Sequence, residues 1–340
     1  MKSLKLIPLV LVVMATALFA QTDSTSKQAG PKQQAKLSVK KGQTFYYSVG
    51  SIVEVDSEQI QMETTTTTTF SSKVLEVTKD GGANFLVTCH TIKGALESPL
   101  MGEFEFDSSS DEEDENPMSA MLTKGLMALA GKTATVTTDS LGRVTKTVKG
   151  EEASDAPAGG LMGGLTGTSV SFSSIFTPLL LKMPKGGVSV GGSWKSDSKA
   201  GGDEGSPVEF SQKGKVTLAS ATQKDLVYKA TAKPEMSGDV SDEESGVEAG
   251  VEVQGGKVSI TSTIDRKTGL QKALKQTIDM DMFIDSPMGE MEMTFITKNE
   301  MKQVKSLNLP KKSGTTDGSK KPAIDQPKKK PATDQPKKKL

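Results

Sequence analysis

The chain has 340 residues, of which 34% are apolar and only 4% are aromatic. This limited apolar content favours a sheet with one face in water over a helical bundle, whose interior needs many leucine and alanine side chains. The chain has one cysteine, which excludes an internal disulfide. The formal net charge is zero, but residues 305–340 hold eleven lysines and three aspartates, so an acidic body carries a basic tail.

The first twenty residues have the pattern of a secretory signal peptide. Lys2 and Lys5 precede an apolar run from Leu6 to Phe19, and the segment closes on Ala20. The run is about 14 residues long, short of the roughly 20 that a membrane-spanning helix needs. The residue directly after it is Gln21 and not the cysteine that would carry a lipid. We therefore expect cleavage after Ala20 and a periplasmic or secreted mature protein without a transmembrane segment.

The first half of the mature chain predicts a flexible leader and then β hairpins. Residues 21–37 are polar and contain Gly30 and Pro31, as a leader does. Residues 44–55 and 62–77 are rich in threonine, valine and aromatic residues, as strands are. Asp80, Gly81 and Gly82 predict a tight turn into a third strand at 84–92.

A second hairpin, a helix and a third hairpin follow in the predicted N-terminal β half, residues 38–150. The hairpin spans 98–106, and the other hairpin turns at 139–142. Between them, Asn116 and Pro117 form a helix start, and apolar residues then recur at helical spacing. This pattern predicts a helix over 117–130.

Residues 151–170 are rich in glycine and predict a linker. The C-terminal β half, residues 171–303, begins with a possible short helix at 172–183. Its predicted strands are 208–219, 226–233, 257–265, 273–284 and 289–297. The fold class is therefore mainly β: a curved antiparallel sheet or two small β halves, with one or two short helices covering a face.

The last segment, residues 304–340, predicts a disordered tail. It contains PAIDQPKKK and PATDQPKKK, a nine-residue repeat in which proline opposes both helix and strand. The tail has three interpretations: a solvated spacer, a tether to an anionic envelope surface, or a nucleic-acid binder. Export disfavours nucleic acid as a partner.

Few residues support catalysis or metal binding. His90 is the single histidine and adjoins Cys89, but neighbouring side chains on a strand face opposite sides, so the two should not form a nucleophilic pair. One cysteine and one histidine are too few ligands for a zinc site. The acidic stretches at 111–115 and 239–244 lack the spacing of a calcium loop. We expect no catalytic residues, cofactor or metal.

Several segments between residues 37 and 303 form a recognisable series: LSVKKGQTFYYSV, the threonine-rich strand, DSLGRV, LLLKMPKGGVSVGGSW and DRKTGL. In this series the chain resembles an uncharacterised family of secreted bacterial proteins, domain of unknown function 6263. The resemblance implies an exported β-rich protein. It carries no catalytic residues.

Two hypotheses for function follow, and an enzyme ranks third. In the first, an apolar or amphipathic ligand, such as a lipid, binds a methionine-rich apolar face beneath the predicted helix. Its residues are Met118, Met121, Leu122, Met280, Met282, Met291 and Met293. In the second, a structural or interaction protein is tethered to an anionic envelope polymer by the tail. Its residues are Lys328, Lys329, Lys330, Lys337, Lys338 and Lys339.

Overall fold

The computed structural model describes residues 20–22, 30–58, 61–99, 102–110, 129–142, 144–149, 184, 186–200, 209–242, 247–286 and 289–307. Every regular element within these ranges is a β strand. The strands are β1 Ala20–Thr22, β2 Thr44–Ser57, β3 Gln61–Val77, β4 Ala83–Ser98, β5 Gly102–Asp107, β6 Thr133–Thr138, β7 Val144–Lys149, β8 Ser193–Ala200, β9 Glu209–Ala221, β10 Asp225–Asp242, β11 Val247–Asp265, β12 Gln271–Ser286 and β13 Gly289–Val304.

All the described strands belong to one antiparallel sheet. Its order is β1-β8-β9-β10-β11-β12-β13-β2-β3-β4-β6-β7, and β5 pairs with the part of β4 that β6 leaves unpaired. The sheet is open, with β1 and β7 at its two ends. The mainly antiparallel β prediction is confirmed. Because β13 pairs with β2, the strands of the two predicted halves form one continuous sheet.

One face of the sheet carries the core, and we call it the inner face. In β12 the residues with even numbers from Leu274 to Ile284 are buried, whereas Asp279, Asp281 and Asp285 are exposed. This alternation confirms the predicted two-residue period. The buried residues of the other long strands join the same hydrophobic cluster, with Tyr47 stacked on Phe70 at a ring distance of 5.1 Å.

The predicted hairpin turns also agree with the structure. Gly81 has a φ of 84° in the turn between β3 and β4, and Gly142 has a φ of 75° in the turn between β6 and β7. Only glycine adopts these angles without a steric penalty, so the positions of these two turns were readable from the sequence.

Part of the segment predicted as a flexible leader packs on the sheet. The backbone of Gln33 exchanges two hydrogen bonds with Val188, and its side chain accepts one from Arg266 at 2.7 Å. Ala35 and Leu37 are buried in the core. The leader prediction therefore does not hold over residues 30–37, because small and apolar side chains there find partners on the sheet.

The predicted helices, the predicted linker and most of the predicted tail lie outside the described residues. Residues 111–128, 150–183 and 308–340 lie outside the described residues, and of the helix predicted at 117–130 only Leu129 and Ala130 are described, in a turn. Among the described residues we find no helix long and apolar enough to cross a membrane.

Gly94 of β4 lies at a closely packed point of the inner face. A Cβ atom on Gly94 would lie 2.1 Å from the backbone oxygen of Thr65 and 2.5 Å from the ring of Phe106. We expect Gly94→Ala to lower the free energy of unfolding by about 1–3 kcal/mol, as overpacked cores do. Urea denaturation measures this.

Gly50 of β2 is the matched control, because the nearest atom to its Cβ would be 3.9 Å away. Gly50→Ala should leave stability unchanged or raise it slightly, since alanine restricts the unfolded chain. Equal losses in both variants would contradict the close approach at Gly94.

Candidate functional site

A methionine patch lies on the inner face where β12 and β13 approach their shared hairpin. It consists of Met280 and Met282 of β12 and Met291 and Met293 of β13. Met282 is directly opposite Met293. Met280, Met282 and Met293 are 1%, 2% and 3% exposed, and Met291 is partly buried against the core.

The patch continues across neighbouring strands through apolar residues. Met280 lies opposite Phe295, which lies opposite Val55 of β2, and Val55 lies opposite Met62 of β3. The structure thus brings together the four β-strand residues that the sequence proposed for a ligand face. Met118, Met121 and Leu122 lie outside the described residues, as do the six tail lysines.

A second feature of the inner face was missed by the sequence analysis. Gln276, Asn299, Ser51 and Thr66 form a polar row, in which each residue lies opposite the next on β12, β13, β2 and β3. The Nδ2 of Asn299 donates a hydrogen bond to the Oε1 of Gln276 at 3.3 Å. Gln276, Asn299 and Ser51 each interrupt a mainly apolar alternation in their own strands, which is the signal that could have revealed them, whereas Thr66 lies between Thr64 and Thr68 and gives no such signal.

Two unpartnered hydroxyls stand between the polar row and the methionine patch. They belong to Thr64 of β3 and Thr297 of β13, which lie on either side of Val53 of β2. Both residues are 2% exposed, and neither hydroxyl has a hydrogen-bond partner among the residues that the structure describes. An unsatisfied buried hydroxyl is costly, so a partner from outside the chain would stabilise it.

The polar row retains accessible surface in the middle of a buried face. Asn299, Ser51 and Thr66 are partly exposed. The inner-face residues on either side of them along the same strands are mostly buried: Thr64, Thr68, Val53, Thr297 and Met301. Because these residues are accessible to solvent, there is room for at least a water-sized group beside the polar row.

The inner face around the site carries no charge over its described length. The inner positions of β12 from 274 to 284, of β13 from 291 to 301, of β2 from 47 to 55 and of β3 from 62 to 70 hold only apolar, hydroxyl and amide side chains. Such a surface can donate and accept hydrogen bonds, but it offers no counter-ion for a charged ligand, whose burial would therefore be costly.

A β-bulge separates Cys89 from His90. Thr69 pairs with Thr91 and Phe70 with Cys89, so His90 is the extra residue of β4. Cys89 is buried in the core, whereas the Nε2 of His90 is 2.8 Å from the Oγ of Ser71. The two side chains thus lie on opposite faces.

Burial also shifts the pKa of both groups. It raises the pKa of the Cys89 thiol to about 12, and it lowers the pKa of His90. At neutral pH the thiol therefore stays protonated and the imidazole stays neutral. This arrangement gives neither a thiolate nucleophile nor a base directed at it.

The outer face carries a row of four glutamates across adjacent strands. Glu54, Glu63, Glu97 and Glu103 lie opposite one another on β2, β3, β4 and β5. They contribute to an open cavity of about 510 Å³. Lys298 contacts Glu54 at 2.5 Å. Like charges in direct register repel one another, so the row lowers stability.

No metal site accompanies these acids. Among the described residues, no group of three or more histidine, cysteine, aspartate or glutamate side chains is arranged to hold a metal ion. Of the two acidic stretches that the sequence considered for calcium, residues 111–115 and 243–244 lie outside the described residues.

The accessibility of Cys89 can be measured with a thiol reagent. At mildly alkaline pH we expect 5,5′-dithiobis-(2-nitrobenzoate) to react with the native protein at least about a hundredfold more slowly than with the urea-unfolded protein, because the reagent needs an exposed thiolate. A Cys89→Ala, Thr67→Cys variant supplies an exposed thiol as control. Fast labelling of the native wild-type protein would contradict the buried position.

The glutamate row predicts an unusual pattern of stabilising substitutions. Glu63→Gln and Glu97→Gln should each raise the thermal unfolding midpoint at low salt, because each removes a repulsion between neighbouring strands. Glu54→Gln is the control, since it also removes the ion pair with Lys298 and should gain less. High salt should reduce all three differences. Salt-independent effects would argue against electrostatic repulsion.

Comparisons with known proteins show no family. No family model matches the chain, and no curated protein matches it. Solved structures with local similarity include an outer-membrane channel of Pseudomonas putida F1, with 8% identity, a TM-score of 0.23, and coverage of 82% of this chain and 100% of that one.

Two further structures are from Pseudomonas aeruginosa. OccK5 (OpdH) has 5% identity and a TM-score of 0.19 over 81% of this chain and 100% of its own. OpdQ has 8% identity and a TM-score of 0.19 over 78% and 100%. Scores at this level carry no weight for the fold or the function.

Proposed function

We propose that this chain is an exported, non-enzymatic binding or carrier protein for an apolar or amphipathic ligand, held on the inner face of the sheet. The observation that carries the proposal is the methionine patch beside a polar row that keeps accessible surface. Apolar side chains with a few convergent polar groups are the usual lining of a small-molecule site.

Methionine suits such a role for a physical reason. Its unbranched thioether side chain adopts many shapes at little cost, so a surface built from several methionines adapts to flexible apolar chains. Met282 and Met293 face each other across two strands, and Met291 extends the same surface toward the hairpin. The four methionines therefore form one continuous, adaptable group of side chains rather than isolated ones.

The chemistry of the described residues supports binding rather than catalysis. The one cysteine and the one histidine point to opposite faces, and burial holds the thiol protonated. The inner face offers hydroxyl and amide groups but no acid or base among its described positions on β12, β13, β2 and β3. These groups orient a ligand without transferring a proton.

The proposal that the protein is exported rests on its N-terminal segment. Lys2 and Lys5, the apolar run that follows them and Ala20 have the order of a cleavable signal peptide. A periplasmic or secreted location fits a carrier of poorly soluble molecules, which need a protein to cross an aqueous compartment. The resemblance to the secreted family of unknown function fits the same location.

The alternative function is an envelope-associated structural or interaction protein tethered by its lysine-rich tail. The described outer face bears the row of four glutamates, which an anionic surface would repel. Any attachment to an anionic polymer would thus act through Lys328–Lys330 and Lys337–Lys339, where each lysine near the surface contributes about 1 kcal/mol. This alternative remains a prediction from the sequence.

The carrier proposal is tested with 1-N-phenylnaphthylamine, an apolar dye whose fluorescence rises in apolar surroundings. We expect saturable binding by the full chain. Met282→Ala and Met293→Ala should each weaken binding several-fold, because each removes contact area from the patch. Val136→Ala of β6 is the control: it also truncates a fully buried side chain, but on a different part of the sheet.

Stability must be followed alongside, since truncation of a buried methionine costs about 2–5 kcal/mol. All variants are therefore compared at a temperature where circular dichroism shows each to be folded. An absence of saturable dye binding, together with no lipid found by mass spectrometry in protein isolated from its native envelope, would overturn the proposal. Equal weakening of dye binding by Val136→Ala would show that the methionine patch is not the binding site.

A further inference from the structure

We propose that the ligand is an uncharged amphiphile whose head-group ester and hydroxyl oxygens are bound by Thr64 and Thr297 beside the polar row, while its acyl chain lies along the methionine patch. This inference rests on the proposed carrier function and adds the ligand class and its orientation. It starts from the two buried hydroxyls, which have no partner in the described part of the chain.

The position of the hydroxyls indicates a site rather than a packing defect. Thr64 and Thr297 stand in one line across β3 and β13, with only Val53 between them. The polar row lies two residues further along the same strands, and it keeps accessible surface. The two threonines lie two strand spacings apart, about 10 Å, so their hydroxyls are positioned to bind separate oxygens of one external head group.

The chemistry of the surrounding side chains selects an uncharged group. Threonine hydroxyls and the side-chain amides of Gln276 and Asn299 both donate and accept hydrogen bonds. Over its described positions on the four central strands, the inner face holds no lysine, arginine, aspartate or glutamate. A phosphate or carboxylate would be buried without a counter-ion, whereas an ester carbonyl or an alcohol would be satisfied.

The methionine patch gives the orientation of the ligand. It begins one inner-face position beyond Thr297 on the side away from Asn299, at the level of Phe295 and Met280. From Thr297 to Met291 the strand extends about 20 Å, at roughly 3.3 Å per residue. That length matches an extended long acyl chain, so a polar group at the hydroxyls places the chain on the patch.

The test compares 1-monooleoylglycerol with oleate as competitors of bound 1-N-phenylnaphthylamine. The two share one acyl chain and differ in whether the polar end is charged. We expect 1-monooleoylglycerol to displace the dye at a concentration at least about tenfold lower than oleate does, at a pH where oleate is ionised.

Thr64→Val and Thr297→Val remove each hydroxyl while keeping the shape of the side chain. We expect each variant to bind 1-monooleoylglycerol about tenfold more weakly, to bind the dye as the wild type does, and to have a higher urea midpoint without ligand. The control is Thr67→Val, on the exposed outer face of β3. It should change neither affinity.

The outcomes separate this inference from the carrier proposal. Dye binding with unchanged 1-monooleoylglycerol affinity in both valine variants would overturn the inference and leave the carrier function standing. Stronger competition by oleate would also overturn it. A lower urea midpoint with unchanged affinity would show that the hydroxyls are satisfied by water alone, which equally overturns it. No dye binding by the wild type would overturn the carrier function itself.

Discussion

The pairing of β13 with β2 is the interaction on which the rest of the structure depends. Every other long ladder joins strands that follow one another along the chain, whereas this one joins residues 46–57 to residues 293–304. It connects an N-terminal series of hairpins to a C-terminal series and places Phe295 opposite Val55 on the inner face. Contacts this distant in sequence require a large loop to close before they are gained, so sheets of this kind fold slowly. The polar row crosses this ladder, and the apolar surface that continues the methionine patch reaches Val55 and Met62 only through it.

The inner face combines two surfaces that a simple core would keep apart. Methionine, isoleucine and phenylalanine side chains fill the end near the β12–β13 hairpin, while hydroxyl and amide groups occupy the middle of the same strands. Burying polar groups lowers stability unless they are hydrogen-bonded, and the hydroxyls of Thr64 and Thr297 have no hydrogen bond to any described residue. Such local conflicts with the rules of packing are expected at functional sites. The outer face shows a comparable conflict, because four glutamates stand in direct register there.

Irregularities in the strands decide which residues face inward. The bulge at His90 places both Cys89 and Ile92 on the inner face, although an uninterrupted strand would separate them. Another register shift, between Val253 and Gly255 of β11, changes the inner positions from odd to even numbers. Alternation along the sequence indicates the buried face only between such points. For this reason simple alternation accounts for the shared buried face of Phe85, Val87 and Cys89, whereas continuing the same count after His90 assigns the wrong face.

The sequence by itself located most of the strands and the turns at Gly81 and Gly142, because alternation and turn glycines act through neighbouring residues. It also determined that Met280 and Met282 share a buried face, since both lie in one regularly alternating strand. Only the tertiary structure decided that Gln276, Asn299, Ser51 and Thr66 form one row, because each residue lies on a different strand and register is set between strands. The meeting of β13 with β2 was decided in the same way. The choice between strands far apart in sequence depends on the packing of the whole face, which no local pattern records.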